Sequence, residues 1–200
     1  MGKALRLIMA LLAVSGLLTG CGSTKGAEKV TETTPIQDLK APKWVIKGSG
    51  AFSGQHGKVF YGVGSAAEMK NPSMLRIASE DRAIAALAKE IKVYTASLQK
   101  DYMESMTAGS ANATSDSQLV ESAIKTVTAM TLRGAQIVDH WQNPATGELL
   151  SLARVDIELF KNSFDQTNEI DQNVKEYIRK NAERLHEQLE QEEAKAKGRQ

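Results

Sequence analysis

Ser73 to Met106, SMLRIASEDRAIAALAKEIKVYTASLQKDYMESM, decides the fold. Leu75, Ile77, Ile84, Leu87, Ala88, Ile91, Tyr94, Leu98 and Tyr102 recur there at three- and four-residue steps, the period of one face of an α-helix. Glu80, Asp81, Lys89, Glu90 and Lys92 fall mainly on other faces, so the stretch predicts a long amphipathic helix with its charges exposed. Just upstream, Asn71-Pro72 reads as an N-cap followed by proline at the first helical position, where its missing N–H costs nothing. A helix of this length and polarity needs a partner layer.

Working outward, strands supply that layer. Lys58 to Ser65 predicts a strand, and in Tyr61-Gly62-Val63-Gly64 the glycines would let it pack closely on the long helix. Trp44 to Lys47 predicts a short strand, with Gly48 to Gly57 as a glycine-rich loop between the two. Downstream, Thr107 to Ser117 is a small-polar loop. A shorter helix is expected from Gln118 to about Met130, with Leu119, Ile124 and Val127 inward. Leu132 to Trp141 and Leu149 to Phe160 then predict a β-hairpin around Asn143 to Glu148. In its second strand Leu149, Ala153, Val155, Ile157 and Leu159 alternate with Leu152, Arg154, Asp156 and Glu158, the pattern of an antiparallel sheet covered on one side. Asn168 to about Ala196 predicts a charged helix with Ile170, Val174, Tyr177, Ile178, Leu185 and Leu189 on one stripe. That stripe could pack on its own sheet or pair with another subunit, and heptads do not persist far enough to define a coiled coil. Glu190 to Gln200 has no apolar anchor beyond alanine and is expected to fray. The fold class is therefore α+β: a small antiparallel sheet packed on a long helix, with an additional charged C-terminal helix.

The N-terminal end carries a different message. Lys3 and Arg6 precede an apolar run from Leu7 to Leu18, the layout of a secretory signal peptide. That run is too short for a spanning helix, which needs roughly 20 apolar residues. Leu18-Thr19-Gly20-Cys21 resembles the lipobox of bacterial lipoproteins, in which a signal peptidase recognises the Leu and the small residues and cuts before the cysteine. Cys21 would then carry a diacylglycerol thioether. It is the only cysteine of the chain, so it has no disulfide partner, and an unpaired thiol in an oxidising compartment is a liability unless modified. One acyl chain holds a protein only marginally, whereas two or three anchor it. In the sorting rule of Gram-negative lipoproteins an Asp after the cysteine retains the protein in the inner membrane. Gly22 points instead to the outer membrane, with the domain facing the periplasm. The organisation expected is a cleaved signal over 1–20, a lipidated flexible tether over 21–40, a domain over 41–160, and the charged helix with its frayed end over 161–200. The tether is polar, and such composition cannot bury enough surface to offset ordering.

Composition excludes some functions. The formal net charge is +1, and Lys3 and Arg6 leave with the signal, so the mature chain sits near −1. A near-neutral chain lacks the basic face that nucleic-acid binding requires.

Several blocks resemble the lipoprotein-20 family of small bacterial lipoproteins. They are Pro42-Lys43-Trp44-Val45, then Val59 to Ala66, then Arg76, Ala78, Arg82, Ala83, Leu87, Ala88 and Ile91 along the helix. Leu132 to Asp139 and Ala153-Arg154-Val155 complete the set, in order, across about Pro42 to Leu159. The resemblance implies an α+β fold and no catalytic residues. A looser group around that family includes an outer-membrane lipoprotein needed for flagellar function, which shares the pattern seen here as Arg133-Gly134-Ala135-Gln136-Ile137-Val138. The charged helix after Phe160 lies outside the resemblance.

No motif points to catalysis, a cofactor or a metal. Gly48, Gly50 and Gly54 have the wrong spacing for a dinucleotide loop and open no helix, so they read as turns. His56, His140 and His186 are scattered without a second ligand at a metal spacing. Asp81, Glu90, Asp156 and Glu158 sit where exposed faces need charge, and sequence alone argues for no Ser-His-Asp order or nucleophile elbow. Trp141, near the hairpin tip, either caps the end of the core or serves as a candidate partner contact, since tryptophan is enriched at interface hot spots. The expected function is a non-catalytic protein-binding or structural module of the cell envelope, in the flagellar version by family analogy alone. The alternative is a regulatory lipoprotein that docks on a periplasmic cell-wall enzyme and activates it. Expected partners are the membrane, through lipid, and envelope proteins or a second copy. Neither nucleic acid nor a small-molecule substrate is expected.

Overall fold

A computed structural model of the chain describes residues 39–54, 57–107, 113–167 and 171–198. Leu18, Thr19, Gly20, Cys21 and nearly all of the tether lie outside the described residues, as do His56 and Ile170. In chain order the elements are α1 (Lys43–Lys47), β1 (Gly50–Gly54), β2 (Gly57–Ala66), α2 (Pro72–Thr107), α3 (Ala113–Arg133), β3 (Gln136–Gln142), β4 (Leu149–Asp156), α4 (Ile157–Asp165) and α5 (Gln172–Lys197). The strands form a four-stranded antiparallel sheet in the order β1-β2-β4-β3. The fold is α+β.

Helix α2 is the spine, and its start follows the sequence: the Asn71 side chain accepts from the Ser73 N–H at 2.9 Å. Ala83, Leu87, Ile91, Tyr94, Leu98 and Tyr102 are buried along one face of it. Ala83, Leu87 and Tyr94 meet the inner face of the sheet, which comprises Ala51, Phe60, Gly62, Gly64, Ala66, Ser151, Ala153 and Val155, while Tyr102 packs on Tyr177 of α5. Contact is close enough to dictate residue type. A Cβ at Gly62 would collide with the Ala83 carbonyl oxygen and the Leu87 nitrogen, and one at Gly64 with the Ala83 nitrogen. Above them the Ser79 and Ser151 hydroxyls bond each other at 2.6 Å, so the polar pair buried between helix and sheet is mutually satisfied. Farther along, Phe60, Tyr94, Phe160 and Phe164 form a chain of tilted and edge-on rings with centroids 4.9–5.2 Å apart.

Five local expectations change. Trp44 to Lys47 is one turn of helix, not strand. Pro42 at its N-cap accepts from the Val45 N–H, and Gly48, at φ +72°, ends it. Within the glycine-rich stretch lies a strand, β1, because Ala51 and Phe52 alternate inward and outward around the glycines. Helix α3 runs to Arg133, longer than predicted, so Leu132 belongs to it rather than to a strand; Ile124 and Val127 are buried as expected. Strand β4 stops at Asp156. Ile157, Phe160, Ser163 and Phe164 bury at helical steps, and that burial overrides the alternation read through Leu159.

The fifth change is at the C-terminal end. Helix α5 continues to Lys197, and polar rather than apolar anchors hold its last turns against β1. Its Val174, Ile178, Ala182, Leu185 and Leu189 join the same core cluster as α2, so the stripe packs on its own chain. The boundary drawn at residue 160 falls inside α4.

Candidate functional site

Adjacent strand residues point to opposite faces, so the outer face of the sheet is defined by the same register. It comprises Phe52, Val59, Tyr61, Val63, Leu150, Leu152 and Arg154, together with Asp139 and Trp141 on β3. The only helix seen on this face among the described residues is the five-residue α1. Its Trp44 reaches across and donates its indole N–H to Asp139 Oδ2 at 2.7 Å.

Between α1 and the strands lies a cleft of 290 Å³ floored by Phe52, Val59, Tyr61 and Leu152 and flanked by Trp44, Lys43 and Lys47. Phe52 and Tyr61 lie with ring centroids 5.5 Å apart. The Lys47 ammonium sits 5.2 Å from the Phe52 ring centroid and that of Lys197 5.3 Å, both positions in which a cation is attracted to the ring. The result is an aromatic floor with a cationic rim. Four of the ten aromatic residues of the chain, including both tryptophans, are on this face.

Trp141 does not line the cleft. It lies opposite Leu150 on edge strand β3, half-buried, with Leu150 between it and the cleft floor at Leu152. Being on the outer face, it does not cap the core behind the sheet. Cleft and tryptophan thus share one surface. Trp44, Phe52 and Tyr61 were not singled out from sequence, although one signal was present. Phe60-Tyr61 and Leu149-Leu150 are neighbouring apolar residues within strands, and such neighbours cannot both face one core.

Elsewhere, ionisable groups form links between elements. Glu80 accepts from Arg76 Nε at 2.7 Å and lies 2.8 Å from His140 Nε2, and Arg76 above all holds its carboxyl below the usual range. Asp101 on α2 accepts from Tyr177 and from Arg184 of α5. Burial, then the Asp101 carboxylate, pushes the Tyr177 hydroxyl up to about 12. His186 is buried against the Phe60 ring and donates from Nε2 to the Val59 carbonyl at 2.9 Å. Its burial pushes its pKa down. Glu90, expected on an exposed face, is half-buried beside Glu193 of α5, and that burial raises its pKa.

Among the described residues no cluster of three or more His, Cys, Asp or Glu is placed to hold a metal ion. No helix among them is long and apolar enough to cross a membrane. The chain matches no protein-family model, and no curated protein matches it.

Proposed function

We propose that this chain is a lipid-anchored protein of the outer membrane, resembling the lipoprotein-20 family, whose domain binds other envelope proteins through the outer face of its sheet. The observation that carries the binding reading is the concentration of Trp44, Phe52, Tyr61 and Trp141 on a face where, among the described residues, one turn of helix lies. Part-exposed aromatics that a partner can bury are the usual energetic anchors of protein interfaces. The cleft suits one large apolar side chain. The rim lysines Lys43 and Lys47 suit an acidic residue beside it, on an extended segment of the partner. Lipid on Cys21 fixes one end, and the polar tether sets how far this surface can reach.

Photo-crosslinking in intact cells tests it. A crosslinking residue at Tyr61 or Trp141 should capture one defined envelope protein, and the charge reversal Lys47→Glu should reduce that capture several-fold. The same residue at Lys92, exposed on α2, should capture far less. Equal capture from all three positions, or none from Tyr61 and Trp141, overturns the reading. A cell-wall synthase as the captured protein would specify the regulatory version, and a flagellar component the structural one. For the anchor, Cys21→Ser should abolish lipid labelling and release the protein from membranes.

A further inference from the structure

The end of α5 treats strand β1 as a neighbouring strand would. On the open edge of β1 the Ala51 N–H donates to Glu193 Oε2 at 3.0 Å and the Ser53 N–H donates to Glu190 Oε1 at 3.0 Å. The Ser53 hydroxyl donates to Glu190 Oε2 at 2.7 Å. One turn on, Lys197 Nζ donates to the Ser49 carbonyl at 2.9 Å and to that of Lys47 at 3.0 Å. Side chains of Glu190, Glu193 and Lys197, one helical turn apart, thus satisfy backbone groups along the strand edge and in the turn that leads into it. An edge strand left bare is a template for pairing with another chain, and here a helix covers it. Gly50 makes room: a Cβ there would overlap Glu193 Oε2.

One atom of this arrangement lacks a donor. Glu193 Oε1 is buried without a hydrogen-bond partner, and the Glu90 carboxyl on α2 neighbours that of Glu193. Two neighbouring half-buried carboxylates repel unless a proton is shared between them. A proton held by the pair would supply the missing donor. We infer that the end of α5 is a proton-dependent clasp: it closes over the β1 edge while Glu90 and Glu193 share a proton and lifts when both ionise. The inference stands on the α5–β1 geometry and does not depend on the partner reading of the cleft.

Groups around the pair set where the clasp works. Lys89 and Lys197 favour ionisation, while burial opposes it for both acids. From α1, Lys47 lies along the same groove, as does Glu190 from α5, and the residues of β1 itself are uncharged. Burial, opposed by the Ala51 N–H, raises the Glu193 carboxyl to about 7. A folded-state value above the ordinary carboxyl value means that closure is fully favoured at acid pH and is lost as pH rises through neutrality.

Amide exchange and carboxyl NMR on the folded protein test the clasp together. After correction for intrinsic exchange, protection of the Ala51 and Ser53 amides should fall about tenfold from pH 6 to pH 8, the change expected when one proton is released. Amides of the β2–β4 ladder should not follow. Glu90→Gln supplies a permanent donor and no charge, so it should keep Ala51 and Ser53 protected to pH 8. Glu193→Gln should make their protection independent of pH. Flat protection in the parent protein overturns the proposal. So does an unchanged transition in Glu90→Gln, or titration of both carboxyls below about pH 5, near the ordinary glutamate value.

Discussion

The two faces of one sheet are built to opposite specifications. Against the inner face, α2 approaches until only glycine is tolerated at Gly62 and Gly64, and Phe60, Ala153 and Val155 are sealed from water. On the outer face, among the described residues, a single helical turn leaves a cleft among Phe52, Tyr61 and Leu152. Residue type does not distinguish the faces, since both carry aromatics and aliphatics. What differs is cover. The inner face is sealed by α2, whereas on the outer face Val59, Leu150 and Leu152 are buried but Phe52, Tyr61 and Trp141 stay part-exposed.

The largest expected effect comes from breaking that contrast with large-to-small changes on either side. Phe160→Ala removes a fully buried ring that packs on Tyr94 and Phe164, and it should cost about 3–5 kcal/mol in urea unfolding. Tyr61→Ala on the outer face removes a ring already part-solvated, and should cost about 1 kcal/mol or less. Equal costs would show that the outer face is as much core as the inner one.

A finer test uses neighbours in one strand. Gly62→Ala adds one methyl group where the Ala83 carbonyl oxygen and the Leu87 backbone already stand. The strand and helix must separate, at about 1–3 kcal/mol. Val63→Ala, next in sequence but on the outer face and half-buried, should cost no more than about 1 kcal/mol. Melting curves of the two variants decide it. A smaller loss for Gly62→Ala than for Val63→Ala would mean that the close approach of α2 is not what holds the sheet.

Much of the inner side was legible from sequence. A long helix at the right period, the Asn71-Pro72 start, and glycines in β2 that fit only against a close neighbour all followed from local chemistry. The outer side was harder to read. The stretch Trp44 to Lys47 has strand-like residues, and only the flanking Pro42 and Gly48 hinted at a helical turn. Strand β1 is hidden because both of its ends are glycine, Gly50 serving a close contact with Glu193 rather than packing. Glu190, Glu193 and Lys197 looked like the solvated end of a helix, because nothing local in a sequence says that a carboxylate will meet backbone N–H groups some 140 residues earlier. Long-range polar pairing leaves no periodic trace. The same limit hid the cleft, whose walls come from four separate elements.

The smallest effect reads how dry the inner side is. His186 lies on α5 against Phe60, with Nε2 donating to the Val59 carbonyl and Nδ1 buried without a partner. Protonation would place a charge in that setting, and burial accordingly lowers its pKa below 6.5. The sign follows from linkage: the unfolded chain takes up the proton first. The contribution of neutral His186 is therefore complete above about pH 6.5 and is lost as pH falls toward the folded-state value. From pH 7 toward pH 5 this group should lower stability by at most about 1.4 kcal/mol per pH unit, opposite in sign to the contribution of the Glu90–Glu193 pair, so it is read as the difference in urea midpoint between the parent and His186→Gln. His186→Gln retains a donor for Val59 but cannot ionise, so this part of the decline should vanish in the variant. A variant profile that still parallels the parent would mean that water reaches the imidazole and that the inner side is less sealed than its packing implies.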